Sequence, residues 1–422
     1  MTRGWPQERS GGGLQAVRFV ESIIHEAHPA LPRAAPCHRP RTESRRLNPP
    51  RVSPPSHAPR HAPSYAPVHA PITWADPGRE QAFAAWLGAI EARHALARST
   101  LRSASSDASF RRYFRIDASS GASFIIMDAP PPLEDVGPFI TVAGLLHAAG
   151  LNAPQVVEQD AAHGFLLLTD LGSRLYLDAL NEAVAAGHTA QRDALMLDAI
   201  HALVQWQQRG DASALPPYDN ALLRRELALF PEWCVARELG VAWSADEQAT
   251  WAAACDALVA SALAQPTVAV HRDYMPRTLM LCGAGAGVAA NPGILDFQDA
   301  VRGPISYDLA SLLRDAFISW DEPEEIDWAV RYWQAARKAG LPMPDDFGEF
   351  WRQVEWMGLQ RHLKVLGIFC RLKHRDGKPK YSEDLPRFFA YAHKVAARYN
   401  ALRPLSRLLE PLMGADRVEV FA

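Results

Sequence analysis

The sequence has few cysteines and no long apolar run. Five cysteines occur in 422 residues, and no two of them have CxxC spacing: Cys37, Cys234, Cys255, Cys282 and Cys370. This odd and scattered set excludes a disulfide framework, argues against a zinc site and suits a reducing cytoplasm. No apolar stretch approaches the roughly 18 residues of a membrane-spanning helix, and the N-terminus lacks the pattern of a secretory signal. We therefore expect a cytoplasmic protein with no membrane partner.

Neither sign of charge is in marked excess. The chain has 44 Lys and Arg against 47 Asp and Glu, which gives a formal net charge of −3. This balance gives no electrostatic ground for binding nucleic acid, so we expect no such partner. Hydrophobic residues make up 48% of the chain, which is enough for a substantial core.

Residues 1–72 differ in composition from the rest of the chain. They contain 13 of the 33 prolines and 6 of the 15 histidines, with ten Arg and no Lys. An Ala-Pro pair recurs every four residues from Ala58 to Pro71. Proline at this density prevents helix formation and leaves an extended, solvated chain. We predict that residues 1–74 are a disordered extension, and a basic tail for an acidic partner is the alternative.

The rest of the sequence predicts two lobes of different character. Residues 75–170 indicate a helix after Asp76, an antiparallel meander, a helix at 136–149 and two more strands around His163. The meander strands are predicted at 99–103, 112–117 and 123–129. Residues 171–422 show long helical periods, at 187–208, 220–238, 244–264, 306–318, 324–339, 345–372 and 385–399. Only two short strands are predicted among these helices, around 267–270 and 293–297. The result is an α+β chain that divides near residue 170.

The sequence from Val268 to Met280 contains the most informative motif. An apolar strand runs into His271-Arg272-Asp273, and a proline turn and another apolar strand follow. A second strand, beginning at Gly293, ends on Asp296. Phosphoryl transfer uses one carboxylate to accept the proton of the acceptor hydroxyl and another to hold Mg²⁺ at the nucleotide phosphates. The pattern therefore indicates a kinase.

These motifs resemble the aminoglycoside phosphotransferase branch of the protein-kinase-like superfamily. Further segments resemble the bacterial cell-wall sugar kinases that phosphorylate the anomeric hydroxyl of N-acetylmuramate and N-acetylglucosamine. The matching segments are 106–115, 127–131, 223–233, 295–317 and 358–367. The resemblance implies a two-lobed protein-kinase-like fold, with a small antiparallel-sheet N-lobe and a larger, mostly helical C-lobe. It also implies ATP and Mg²⁺ as cofactors, an amino-sugar substrate and a role in recycling peptidoglycan sugars.

The resemblance assigns roles to individual residues. Asp273 would be the catalytic base and Asp296 the main magnesium ligand. Thr278 stands where the family usually has a metal-binding Asn, so it is the expected second ligand. Asp299 and Asp308 would support the loop, and His271 is expected to support the backbone there as well. Nucleotide-binding residues are expected in the loop Ser105, Ser106, Asp107, Ala108, Ser109 and Phe110, and in the hinge Leu168, Thr169, Asp170 and Leu171.

The cation that pairs with the phosphates is left open. The strand 125–128 lacks the Lys of broader relatives, and Arg111 and Arg112 are candidates. A surface arginine pair is the alternative reading of these two residues.

The acceptor site is predicted from two groups of residues. Glu226, Glu232 and Trp233 lie on one predicted helical segment and would hold the hydroxyls and ring of a sugar. A core Trp with two solvated glutamates is the alternative reading. A basic run follows at 361–380, in which Arg361, His362 and Lys364 are expected to contact substrate. The sequence is also compatible with two other functions of this protein: an aminoglycoside or small-metabolite phosphotransferase, and a catalytically weak kinase-like binding module.

Overall fold

The computed structural model describes residues 72–106, 110–131, 133–283, 292–378 and 384–413. The prediction of a disordered extension over 1–74 therefore falls almost entirely outside the described residues. The division of the remaining chain at residue 170 stays a prediction.

The first helix, α1 (Pro77–Ile90), begins where the sequence predicts it. Asp76 caps it by accepting a hydrogen bond from the backbone N–H of Gly78 over 2.8 Å, and Pro77 occupies the first turn. Its buried face, which includes Phe83 and Trp86, packs against the strands through Phe165. The helix thereby covers one side of the N-terminal sheet.

This sheet has five antiparallel strands in the order β1-β2-β3-β5-β4. They are β1 (Arg102–Ser106), β2 (Arg112–Asp117), β3 (Ser123–Asp128), β4 (Val156–Asp160) and β5 (Phe165–Thr169). The predicted meander is confirmed, but its first strand begins at Arg102 instead of residue 99. Thr100 causes this delay, because its hydroxyl donates to the carbonyl of Ala97 and accepts the N–H of Asp117, which holds 98–100 in a tight turn. Helix α2 (Gly137–Ala148) lies between β3 and β4 in the chain.

The larger part of the fold is helical. Its helices are α3 (Tyr176–Ala185), α4 (Thr189–Arg209), α5 (Asn220–Leu227), α6 (Ala245–Leu263), α7 (Tyr307–Leu313), α8 (Glu322–Lys338), α9 (Phe347–Asp376), α10 (Leu385–Arg398) and α11 (Arg403–Met413). Its short strands are β6 (Thr267–Val270), β7 (Leu279–Met280), β8 (Gly293–Ile294) and β9 (Val301–Pro304). The helical periods of the sequence omitted α3 and α11. The strand predictions also omitted β9, in which Gly303 and Pro304 weaken the pattern typical of a strand.

The predicted helix over 220–238 is two elements in the structure. Helix α5 ends at Leu227, and a π-helix follows over Phe230–Glu238. Pro231 lacks a backbone N–H and cannot continue an α-helical ladder, so the break follows from the sequence. The break packs closely on α9, where a Cβ at Gly367 would lie 2.4 Å from the backbone carbon of Leu229. Glycine is therefore required at this position of α9.

One buried cluster connects the sheet with the helical part. It includes Met127 and Leu168 of the sheet together with Leu279 and Phe297 of the helical part. The four cysteines in the described residues are free thiols, and all are buried within it or beside it. No helix among the described residues is long and apolar enough to cross a membrane.

Candidate active site

The loop after β6 is held by the carboxylate of Asp308. This residue lies in the first turn of α7 and accepts the backbone N–H groups of His271, over 2.7 Å, and of Arg272, over 2.9 Å. Burial raises the pKa of Asp308 to about 7, although these two donors favour its ionised form. Arg272 has φ of 77°, a left-handed conformation that such a residue adopts only where its surroundings enforce it. The loop that carries Asp273 is thus fixed in one conformation.

His271 connects this loop to the segment that carries Asp296. Its Nε2 lies 2.9 Å from the carbonyl oxygen of Leu295, and its Nδ1 accepts the backbone N–H of Asp273 over 3.3 Å. These partners require the proton on Nε2. Burial lowers the pKa of His271 to about 4, so the ring is neutral at physiological pH. These contacts link two segments of the backbone, and the role of His271 as loop support stays a prediction.

Asp273 is almost completely buried among cations. Burial raises the pKa of its carboxyl group, and the positive charges of Lys364, Arg361 and Arg272 oppose this effect. Its Oδ1 has no hydrogen-bond partner among the described residues. A buried carboxylate with an unused acceptor atom is suited to receive a proton from a ligand hydroxyl.

Asp296 follows β8 in a left-handed conformation, with φ of 62°. Strand β8 pairs with β7, and the N–H of Leu295 donates to the carbonyl of Thr278 over 2.9 Å. This pairing brings Asp296 beside the loop of Asp273. Phe297, the next residue, packs against Phe139 of α2 with ring centroids 4.7 Å apart, so the segment also contacts the N-terminal part of the fold.

The hydroxyl of Thr278 lies inside the loop. It is 2.5 Å from the carbonyl oxygen of Asp273, to which it donates, and it accepts the N–H of Met275 over 3.3 Å. The residue is fully buried. Its role as a metal ligand stays a prediction, and its observed contacts close the turn between Asp273 and β7. Asp299 approaches the loop through its backbone carbonyl, which lies 3.5 Å from Nη1 of Arg272.

The hinge is fixed through the side chain of Asp170. Its carboxylate accepts hydrogen bonds from Arg115, at 2.5 and 3.0 Å, and from the hydroxyl of Ser123 at 2.7 Å. Burial opposes ionisation of Asp170, but these donors outweigh it and lower its pKa. Leu168 and Thr169 form the end of β5. The predicted hinge also packs against β8, the strand that precedes Asp296, since a Cβ at Gly293 would lie 2.9 Å from Cδ1 of Leu171.

The predicted phosphate loop is described only in part. Ser105 and Ser106 end β1, and Asp107, Ala108 and Ser109 lie outside the described residues. Phe110 is 46% exposed, and its N–H donates to Glu134 over 3.3 Å. The roles of these residues in nucleotide binding stay predictions.

The two candidate phosphate cations differ in their surroundings. Arg112 makes two hydrogen bonds to the buried carboxylate of Asp128, and its guanidinium lies 3.9 Å from the ring centroid of Trp74. Arg111 forms a 3.4 Å ion pair with Glu134, beside the end of the phosphate loop. Glu134 was not among the predicted site residues, because it belongs to no motif that the sequence shows. The guanidinium of Arg112 is therefore held within the N-terminal sheet by Asp128. Arg111 is the better candidate for the cation that pairs with the phosphates.

Glu226 lies at the centre of a buried polar network. It accepts hydrogen bonds from Arg272 and Tyr218, lies 3.0 Å from Nζ of Lys364 and accepts from Gln360 over 3.2 Å. Burial opposes its ionisation, but the charges of Lys364 and Arg272 outweigh it and lower the pKa of Glu226 to about 2. The carboxylate is fully buried and enclosed by side chains of the chain itself, and its binding of a sugar hydroxyl stays a prediction.

Glu232 and Trp233 lie on the π-helix instead of on the helix of Glu226. Glu232 is exposed and lies 3.6 Å from Arg237, whose guanidinium covers the mostly buried ring of Trp233. Substrate binding by these two residues stays a prediction.

The three basic residues of α9 have different environments. Lys364 is bound to Glu226 and lies 3.3 Å from the hydroxyl of Tyr307. His362 contacts the carbonyl of Arg314 at 3.3 Å, and burial lowers its pKa to about 3, which keeps it neutral. Arg361 is only 4% exposed, and among the described residues its guanidinium has neither a hydrogen bond nor an ion-pair partner. Of the three, Arg361 has donors that remain for a ligand.

The comparisons with known proteins agree on one family. Residues 100–350 match the model of the phosphotransferase enzyme family. The chain is 51% identical over 314 residues to the N-acetylmuramate/N-acetylglucosamine kinase of Pseudomonas aeruginosa, covering 74% of this chain and 89% of that protein. It is 48% identical over 316 residues to the kinase of the same name from Neisseria meningitidis, covering 75% of this chain and 91% of that protein.

Solved structures support the two-lobed kinase-like fold. Choline kinase LicA from Streptococcus pneumoniae superposes with a TM-score of 0.50 at 12% identity, over 76% of this chain and all of that one. Wild-type aminoglycoside 2'-phosphotransferase-IIIa gives a TM-score of 0.50 at 13% identity, over 75% of this chain and 99% of the other. The predicted fold class is confirmed by these likenesses, which at such low identity concern the fold alone.

Proposed function

Because this chain belongs to the phosphotransferase enzyme family, we propose that it is an ATP- and magnesium-dependent sugar kinase. It transfers the γ-phosphoryl group to the anomeric hydroxyl of N-acetylmuramate, N-acetylglucosamine or both, in the recycling of peptidoglycan sugars. The observation that carries the proposal is the buried Asp273, with an unused acceptor atom, in a loop joined to that of Asp296. Its cytoplasmic location remains a prediction from the cysteine pattern.

Asp273 is the catalytic base of this proposal. Its Oδ1 accepts the hydrogen of the anomeric hydroxyl and orients the oxygen towards the γ-phosphorus. Burial raises the pKa of Asp273, which makes it a stronger base than an exposed aspartate. The nearby charges of Lys364 and Arg361 oppose the effect of burial and favour the ionised form, which is the form that accepts a proton.

The residues present fit a magnesium site. Mg²⁺ is usually held by one or two protein oxygens together with substrate phosphates. Asp296 would provide a carboxylate. Its backbone is left-handed, and the preceding residue, Leu295, hydrogen-bonds to the carbonyl of Thr278. Among the described residues no three His, Cys, Asp or Glu side chains form a metal cluster, so the protein contributes few ligands of its own. When bound, the ion would neutralise charge on the phosphates.

Asp308 and Glu226 hold the loop that carries Asp273 in one conformation. Asp308 fixes the backbone at 271 and 272, and Glu226 fixes the side chain of Arg272. Such preorganisation matters because phosphoryl transfer depends mainly on position and electrostatics. Arg111, paired with Glu134, is the proposed cation for the phosphates.

Release of ADP, measured by a coupled assay, tests this function. Purified protein with Mg²⁺ and ATP is expected to release ADP only when N-acetylmuramate or N-acetylglucosamine is added, and a sugar 1-phosphate is the product. An aminoglycoside panel is the comparison, because a cationic acceptor is disfavoured beside Arg361 and Lys364. Turnover with an aminoglycoside alone would assign the other acceptor class. Binding of Mg-ATP without turnover of any acceptor would support a kinase-like binding module.

A further inference from the structure

Asp315 is a buried carboxylate that the catalytic roles above do not use. It follows the end of α7 and has no measurable exposure. Its Oδ1 accepts the N–H of the next residue, Ala316, over 2.5 Å, and its Oδ2 has no hydrogen-bond partner among the described residues. An unsatisfied buried carboxylate oxygen destabilises a fold, because the atom has lost its hydrogen bonds to water without a replacement. Such an atom requires an explanation, and a ligand is one.

The segment around Asp315 is held from several sides. His362 of α9 contacts the carbonyl of Arg314 at 3.3 Å, and Arg387 of α10 donates to the carbonyl of Ala316 over 2.6 Å. The guanidinium of Arg277 lies 4.6 Å from the ring centroid of Phe317. Arg277 belongs to the loop of Asp273, so this contact places the 315–317 segment against the catalytic loop.

Arg361 is electrostatically connected to both carboxylates. Its positive charge acts on Asp273 and on Asp315, and it opposes the effect of burial, which raises the pKa of Asp315 to about 6. Arg361 and Asp315 nevertheless form no ion pair with each other, and both are described residues. A pair with a purely structural role would gain most from direct contact, because each buried charge is costly without a partner. Arg361 directly precedes His362, whose ring contacts the carbonyl of Arg314, so the unused acceptor of Asp315 and the unused donors of Arg361 lie on neighbouring segments.

We propose that Asp315 and Arg361 form the acceptor-sugar subsite of the site described above. Oδ2 of Asp315 accepts a hydrogen bond from a ring hydroxyl, and the guanidinium of Arg361 donates to the acyl or carboxylate substituent. Both residues belong to the helical part of the fold, away from the sheet β1–β5 that covers a nucleotide in kinase-like folds. The inference rests on the proposed function, since it assumes that an amino sugar is the acceptor.

The two sugars differ where Arg361 acts. N-acetylmuramate carries a lactyl carboxylate, and N-acetylglucosamine has a hydroxyl at that position. A guanidinium forms strong, bidentate hydrogen bonds with a carboxylate, whereas its bond to a neutral oxygen is weaker. Arg361 should therefore favour the acidic sugar, while Asp315 should serve both.

Steady-state kinetics with both sugars test the subsite. Asp315→Asn is expected to raise KM for both sugars by about tenfold to a hundredfold, with KM for ATP within twofold of wild type. Arg361→Gln should lower kcat/KM for N-acetylmuramate at least tenfold more than for N-acetylglucosamine. Arg352→Gln, which changes a partly exposed arginine of the same helix α9, is the matched control and should leave the kinetics with both sugars unaffected.

Any other outcome contradicts the proposed subsite or the proposed function. If both site variants have unchanged KM values for sugar and only a lower melting temperature, the pair is structural and the subsite is wrong. Equal losses for the two sugars in Arg361→Gln contradict recognition of the carboxylate. Calorimetric titration of wild-type protein with each sugar tests the proposed function separately from the subsite. Binding together with turnover supports the function, and the variants then decide whether the subsite is correct. Neither binding nor turnover of either sugar overturns both.

Discussion

Nε2 of His271 lies 2.9 Å from the carbonyl oxygen of Leu295, and this contact joins the two loops of the proposed catalytic centre. The first residue is two positions before the proposed base, and the second directly precedes the proposed metal ligand. The distance between the two carboxylates is therefore set by one imidazole ring and by the β7–β8 pairing. Both carboxylates are held on short strands and tight loops, which suits a reaction that depends on position.

Removal of this imidazole should reduce turnover without removing a proton-transfer group. His271→Ala is expected to lower kcat about tenfold, because the loops lose their link, while the pH profile keeps its shape. The pKa of His271 is lowered to about 4, so in wild type the ring stays neutral above about pH 5. A rate profile from pH 5.5 to 8 measures this. A wild-type inflection near 6.5 that disappears in the variant would mean that His271 transfers protons.

Loss of the catalytic base should separate activity from stability. Asp273→Asn is expected to lower kcat by about 10²–10⁴, while the affinity for Mg-ATP, measured by calorimetry, stays close to wild type. The folded-state pKa of Asp273 is raised, so its ionisation destabilises the fold as pH rises through that pKa. The neutral amide avoids this effect, and the melting temperature at pH 7.5 should be equal or higher. A large loss of stability would instead indicate a structural ion pair.

Asp296 and Thr278 should differ in their effect on magnesium. Asp296→Asn keeps a residue that tolerates the left-handed backbone but removes a charged oxygen, so the Mg²⁺ concentration for half-maximal rate should rise about tenfold or more. Thr278→Ser keeps the hydroxyl that closes the loop and should behave as wild type in the same titration. Thr278→Asn supplies the usual amide ligand. If it raises the rate strongly at limiting Mg²⁺, the hydroxyl is a poor ligand in this chain.

Glu226 should control stability in acid. Its folded-state pKa of about 2 lies below the unfolded value of 4.5, so its stabilisation is complete above pH 4.5 and is lost as pH falls towards 2. Glu226→Gln leaves Arg272 and Lys364 without their partner and should lower the free energy of unfolding at pH 7 by about 3–5 kcal/mol. Denaturant unfolding at several pH values measures both effects. Glu232→Gln, at an exposed position of the π-helix, is the control and should change neither.

The sequence predicted the N-terminal sheet well, because β2 alternates and β3 and β5 are short apolar runs, each bounded by turn residues. It also predicted the positions of Asp273 and Asp296, since each follows a short apolar strand. It was less accurate where a break depends on a single residue. Pro231 divides one predicted helix into α5 and a π-helix, and this separates Glu226 from Glu232.

The sequence alone determined the kinase-like fold class and predicted Asp273 and Asp296 as the two carboxylates of the site, because strand ends and motif spacing are local properties of the chain. Only the tertiary structure decided what each polar side chain contacts. Glu226 is enclosed by Arg272 and Lys364 because α5, β6 and α9 converge on it. The same packing brings the segment of Asp315 against His362 of α9 and Arg277 of the loop of Asp273, through the carbonyl of Arg314 and the ring of Phe317. Such partners are separated by 40 residues or more along the chain, and no local pattern encodes which of them meet.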